Sequence, residues 1–113
     1  MDGQAGPKPE FGPAETLAGL IYSENAVGNI ERALEFLAQH DPSVAAHAVE
    51  AIRDGIETLR EHPFIGRRIE GDMRDLVISF GRTGHVALYR YLPGQDWVRI
   101  LAVRHQREIG YRE

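Results

Sequence analysis

Nine basic residues lie between positions 64 and 113, and all nine are arginine; the chain's single lysine is Lys8. Arginine presents a rigid planar fork of donors that matches carboxylate or phosphate, and its flat cation stacks on other flat groups. Residues 64–113 carry 9 basic against 6 acidic side chains, a balance of +3, whereas residues 1–63 carry 4 against 11, a balance of −7. The overall charge of −4 argues against a general nucleic-acid binder, so the asymmetry says more than the sum. An arginine-only basic half suits an acidic peptide or RNA; the plainer reading is a set of solvated strand edges. In the same half His105, Arg107 and Tyr111 follow one another at short spacing after an apolar run. A histidine there can carry protons near neutral pH. A histidine that ends an apolar strand also often serves as a buried group hydrogen-bonded to backbone, and Tyr111 can equally cover the core edge with its ring.

Other chemistries are poorly provided for. With no cysteine, disulfides, thiolate metal sites and a cysteine nucleophile are excluded. His40, His47, His62 and His85 fall on separate predicted elements without the three- or four-residue spacing of a helical metal site, so neither metal nor cofactor is expected. Ser23, Ser43 and Ser79 have no Ser/His/Asp context, and the glycine pairs form no phosphate-cradling loop. Arg67 and Arg74 have Glu70, Asp72 and Asp75 as nearby candidates for an ordinary surface network.

The elements that would position these arginines follow from periodicity. A length of 113 residues with 42% hydrophobic and 27% charged content fits one soluble globular domain. No apolar run approaches the roughly 20 residues of a membrane span, and the N-terminus lacks a secretory core, so a cytoplasmic protein is expected. Residues 1–15, rich in Pro and Gly, read as a flexible extension, and residues 16–113 as the single domain. The run 17–22 suits a first strand, after which Ser23 or Asn25 can cap a helix. Val27, Ile30, Leu34 and Leu37 then recur at helical steps until His40. Asp41-Pro42 opens a second helix, striped by Val44, Ala45, Ala48, Val49, Ile52, Ile56 and Leu59 and ended by His62-Pro63. Residues 64–68 read as loop. The period then falls to two: strands at 74–80, with Leu76, Ile78 and Phe80 on one face, at 86–92, and at 97–105. Gly81 to Gly84 makes one turn, and Pro93-Gly94 suits the central positions of a type II turn. The fold class is therefore α+β, a helical hairpin packed on one face of a small antiparallel sheet in the order β-α-α-β-β-β.

Four stretches carry a resemblance: residues 59–67 (LREHPFIGR), Arg74-Asp75-Leu76, residues 88–91 (LYRY) and residues 100–111 (ILAVRHQREIGY). Together they resemble the RelE/ParE family of bacterial type II toxins, and the last stretch is the most specific. The resemblance implies a small cytoplasmic toxin neutralised by a cognate antitoxin, which wraps an extended, partly helical segment over sheet and helices. Homo-oligomerisation through that complex belongs to the same expectation, and no membrane partner does. An acidic segment that folds on binding would suit the arginine-rich half, with Arg67, Arg74, Arg90 and Arg104 as its candidate contacts or those of the target.

The family has two branches. One cleaves messenger RNA in the ribosome; the other blocks DNA gyrase. Metal-free RNA cleavage needs a base for the 2′-OH proton, cations at the phosphate and an acid for the leaving oxygen. Carried onto this sequence, those roles fall to His105, Arg107 and Tyr111, with Arg74 or Arg90 holding phosphate. The nuclease branch usually places an arginine where Val86 stands and lysines on the strand that here carries Val77 and Ser79. The expected pocket is thus short of cations, which favours a gyrase-type, non-hydrolytic toxin, with the ribosome-dependent endoribonuclease as the alternative.

Overall fold

The computed structural model describes residues 17–80 and 83–106. The expected extension at residues 1–15, the tip of the turn at Gly81-Arg82, and both Arg107 and Tyr111 lie outside the described residues, as does the side chain of Phe80. The chain runs β1 (Gly19–Tyr22), α1 (Glu24–Ala38), α2 (Pro42–Glu57) with a 3-10 turn at Thr58–Arg60, β2 (Arg67–Glu70), β3 (Met73–Phe80), β4 (Thr83–Leu92) and β5 (Trp97–His105). The five strands form one mixed sheet in the order β1-β5-β4-β3-β2. β1 lies parallel to β5, and the remaining pairs are antiparallel. The helical pair on one face of the sheet and the β-α-α-β-β-β path match the sequence reading, whereas the sheet, expected to be antiparallel, is mixed because β1 joins β5 in parallel. One strand was not expected: residues 67–70, read as the end of a loop, pair with β3 as a fully exposed edge strand. Its four residues show neither alternation nor an apolar face, so periodicity offers no signal there.

The helices begin where their caps say they should. The Ser23 hydroxyl accepts from the Ala26 amide at 3.0 Å, and the Asp41 carboxylate accepts from Ser43 at 3.0 Å, with Pro42 in the first turn. Ala45 and Ala48 are buried between α1 and α2 as small residues at a close crossing. Ile52, Ile56 and Leu59 drive into the sheet against Ile78, Ala87, Tyr89, Val98 and Ile100. The buried face of α1 departs from its aliphatic stripe. Ala26 and Asn29 are buried, whereas Val27 and Leu34 remain 41% and 39% exposed.

The reason for that rotation is a hydrogen-bonding problem on β5. β1 follows β5 only as far as Ile100, leaving the edge of β5 without a strand partner from there on. A bulge also leaves Leu101 unmatched, since Leu88 faces Ala102 and Tyr89 faces Ile100. Polar side chains at the start of α1 take over the vacated edge. Ser23 Oγ and Asn25 Nδ2 each donate to the Leu101 carbonyl at 3.1 Å. The Val103 amide donates to Asn29 Oδ1 at 2.8 Å. Satisfying buried backbone groups outweighs burying two more aliphatic side chains. Asn29→Ala is therefore expected to lower stability by about 2 kcal/mol, because it strands a buried amide. Urea unfolding checks this, and an unchanged midpoint would mean that the edge is satisfied some other way.

The turn between β4 and β5 also differs from expectation. Gly94 does not adopt positive φ; Asp96 does, at 56°. Gln95 and Asp96 donate backward to the Leu92 and Pro93 carbonyls at 3.1 and 3.2 Å. The loop is thus a four-residue helical turn closed by a left-handed Asp, a conformation that Asp tolerates. The Asp96 carboxylate also accepts from the Tyr91 hydroxyl at 2.8 Å, and this hydrogen bond is the main reason that the Tyr91 hydroxyl titrates above its ordinary range.

Candidate functional site

Register decides which arginines can act together, because neighbouring residues of a strand point to opposite faces. Cross-strand partners share a face, so Arg74 lies with Tyr89 and Ile100 on the helix-covered side. Met73, Arg90, Arg99 and Ile21 form a row on the other side. The next row on that side is Arg67, Asp75, Leu88 and Ala102, and beyond it come Val77, Val86 and Arg104. The sheet thus brings Arg67, Arg90 and Arg104 together on the face away from the helices and sends Arg74 to the opposite one. Arg99 joins them although it was not singled out from the sequence. Parity along the strand would have set it opposite Arg104, five positions on; the bulge at Leu101 brings the two to one face. Four residues of β4 separate the Arg90 row from the Arg104 row, about 13 Å along the strand.

Each arginine is held differently. Arg67 Nη2 donates to Asp75 Oδ2 at 3.2 Å, with the Arg67 side chain 74% exposed and Asp75 only 4%. Arg90 Nε lies 2.8 Å from Asp72 Oδ1 as an ion contact off the line of its N–H. Arg104 Nη1 donates to the carbonyls of His105 and Gln106 at 3.1 and 3.2 Å. Arg90 and Arg99 stand directly opposite one another, an arrangement of like charges that costs stability unless an anion lies between them. Between the rows of Arg90 and Arg104 the face carries Leu88 and Ala102 beside the Arg67–Asp75 pair, and in the row of Arg104 Val77 is 53% exposed beside a buried Val86.

Arg74 serves the loop that precedes β2. Its Nη1 donates to the carbonyls of Phe64 and Gly66 at 3.2 and 2.9 Å, and its guanidinium lies 5.0 Å from the Phe64 ring centroid. Tyr89 completes the lock from within the core. Its hydroxyl donates to the Pro63 carbonyl at 2.7 Å and accepts from the Gly66 amide at 2.9 Å. Burial raises the Tyr89 hydroxyl above its usual range against the opposing pull of the Gly66 amide and Arg74, so it stays protonated and able to donate. The Pro63-x-x-Gly66-Arg67 spacing thereby has a physical meaning: Pro63 and Gly66 are the two contacts of one buried tyrosine, and Arg67 follows as the first residue of β2.

His105 does not join the cations. It faces His85 across the ladder, with ring centroids 5.3 Å apart in a T-shaped arrangement, on the helix-facing side with Ile78. His85 is buried and His105 half-buried. Arg107 and Tyr111 lie outside the described residues. Among the described residues no three His, Cys, Asp or Glu side chains converge as metal ligands. None of the described helices is long and apolar enough to cross a membrane.

The sequence matches the family described as ParE toxin of type II toxin–antitoxin system, parDE, over residues 20–110. It is 40% identical over 73 residues to the toxin RelE3 of Caulobacter vibrioides, covering 65% of this chain and 77% of that relative. The toxin RelE1 of the same organism is 29% identical over 73 residues, covering 65% of this chain and 78% of that relative. Among solved structures, the fold is shared with the chromosomal ParDE system of P. aeruginosa at a TM-score of 0.66 and 19% identity, over 80% of this chain and 98% of that one.

Proposed function

The chain belongs to the ParE toxin family of type II toxin–antitoxin systems, and on that premise we propose that it works by binding rather than by hydrolysis. Its target is a macromolecule of the DNA gyrase kind, engaged through the arginine-bearing face of the sheet, and a cognate antitoxin neutralises it in the cytoplasm. The observation that carries this reading is the separation of His105 from Arg67, Arg90, Arg99 and Arg104. A metal-free nuclease needs its proton carrier and its phosphate-holding cations around one scissile bond, yet His105 and Arg104 point to opposite faces. The row between the Arg90 and Arg104 rows holds Leu88, Ala102 and the already paired Arg67 and Asp75, and Val77 and Val86 adjoin Arg104, where a phosphate in transit would need free donors. A face with arginines at both ends, and with aliphatic residues and one closed ion pair between them, suits a protein surface better. Val27, Leu34 and Val44, exposed along the helical pair, offer the antitoxin an apolar strip on the side of the protein away from that face.

Inducible expression with and without the adjacent open reading frame tests this reading. Growth arrest with a DNA-damage response and intact messages is the expected outcome, relieved by the neighbouring gene. Translation arrest with new, specific 5′ ends on messages would replace it with the ribosome-dependent endoribonuclease. The RelE names of the two Caulobacter relatives favour that second reading. In that case His105, Arg107 and Tyr111 are its candidate proton carriers and phosphate ligand, and His105→Ala should abolish the new ends.

A further inference from the structure

Among the described residues Asp75 is the one acidic side chain in the middle of the arginine-bearing face, with Glu70 at its edge, and its environment is unusual. It is 4% exposed, and only Oδ2 is engaged, by Arg67 at 3.2 Å. Oδ1 is buried without a hydrogen-bond partner. A buried carboxylate oxygen left unsatisfied is costly, and the ordinary remedies are a second donor or an apolar replacement. Besides Arg67, its row holds Leu88 and Ala102, which offer no donor, and the surrounding rows carry Arg90, Arg99 and Arg104.

The consequence concerns what the face accepts. Without Asp75, four guanidinium groups around an apolar centre would make a general polyanion site, open to the phosphates of any single-stranded nucleic acid. With it, Arg67 is already neutralised, and a phosphate brought to the middle of the face meets a fixed negative charge in a poorly solvated setting. We propose that Asp75 is a specificity-determining residue that makes this face reject nucleic-acid phosphate and favour a protein partner. The selection works by repulsion of the wrong ligand as much as by attraction of the right one. The inference deepens the binding reading above and rests on it for the identity of the face.

The test uses the full chain and a short fluorescein-labelled oligouridylate, followed by fluorescence anisotropy at low salt. Asp75→Asn keeps the shape of the side chain and removes its charge. It is expected to tighten oligouridylate binding by at least about tenfold over the unaltered protein. Asp72→Asn is the control: it also removes a carboxylate paired with an arginine of this face, but a mostly exposed one. It should change the affinity by less than about threefold, because solvent and salt screen an exposed charge. Equal gains for the two variants would reduce the effect to net charge and overturn the proposal, as would no gain for Asp75→Asn. Thermal melting of the same samples checks folding, and Asp75→Ser provides a second route to the same charge removal. Gyrase inhibition by the unaltered protein is scored separately. Inhibition without the Asp75 effect defeats this inference alone, and the Asp75 effect without inhibition defeats the functional reading alone.

Discussion

Gly66→Val should cost the protein about 4 kcal/mol of folding stability, combining overpacking with the loss of two buried hydrogen bonds. A Cβ at position 66 would stand 2.6 Å from both Cε1 and the hydroxyl of Tyr89 and 2.7 Å from the Asp75 carbonyl oxygen. The carbonyl belongs to the sheet backbone and cannot give way. Tyr89 is fully buried among Ile52, Ile56, Leu59 and Ile100 and has no empty space to enter. Either movement breaks the bonds from the tyrosine hydroxyl to Pro63 and Gly66, and with them the footing of Arg74 on the same loop. The midpoint of urea unfolding measures the loss. A cost below about 1 kcal/mol would mean that the loop accommodates a side chain and that the lock on β2 is not rigid.

The second large effect is functional. Reversing Arg90 and Arg99 to Glu together should weaken target binding by at least about a hundredfold, the scale of replacing attraction by repulsion at a desolvated charge pair. Neither side chain is buried, and their direct opposition is already unfavourable. The double variant exchanges one like-charge opposition for another and gives up only the exposed contact between Arg90 and Asp72, so it should lose no more than about 1 kcal/mol of folding stability. That separation of binding from folding is what makes the pair informative, and circular dichroism with thermal melting verifies it.

Much of the fold was legible from the chain because its patterns are strong and local. The Asp41-Pro42 start, the His62-Pro63 stop and the change from helical to alternating periodicity each rest on one or two residues with a single structural meaning. The features that escaped were non-local. β2 carries no apolar alternation, and only pairing with β3 makes it a strand. Asn29 lies between aliphatic neighbours, and its burial makes sense only once the unpartnered edge of β5 is seen. The left-handed position in the last turn fell to Asp96 instead of Gly94, since a four-residue loop places it one step before the strand. For the site, an arginine-rich half was plain from counting, but counting does not assign faces. Arg74 looked like one more cation and lies on the opposite side holding a loop, whereas Arg99, two positions from Trp97, completes the cationic face. Asp75 read as an ordinary partner in an ion pair; its orphaned oxygen depends on what the neighbouring strands place beside it.

In the reading proposed above, this toxin acts by docking its arginine-bearing face on a gyrase-type target. ATP-dependent supercoiling of relaxed plasmid by purified gyrase tests it most directly, with the unaltered protein and the Arg90→Glu, Arg99→Glu variant titrated in parallel. The unaltered protein should inhibit, and the variant should need at least about a hundredfold more protein for the same effect. Supercoiling untouched at large toxin excess, or inhibited equally by both proteins, would contradict it.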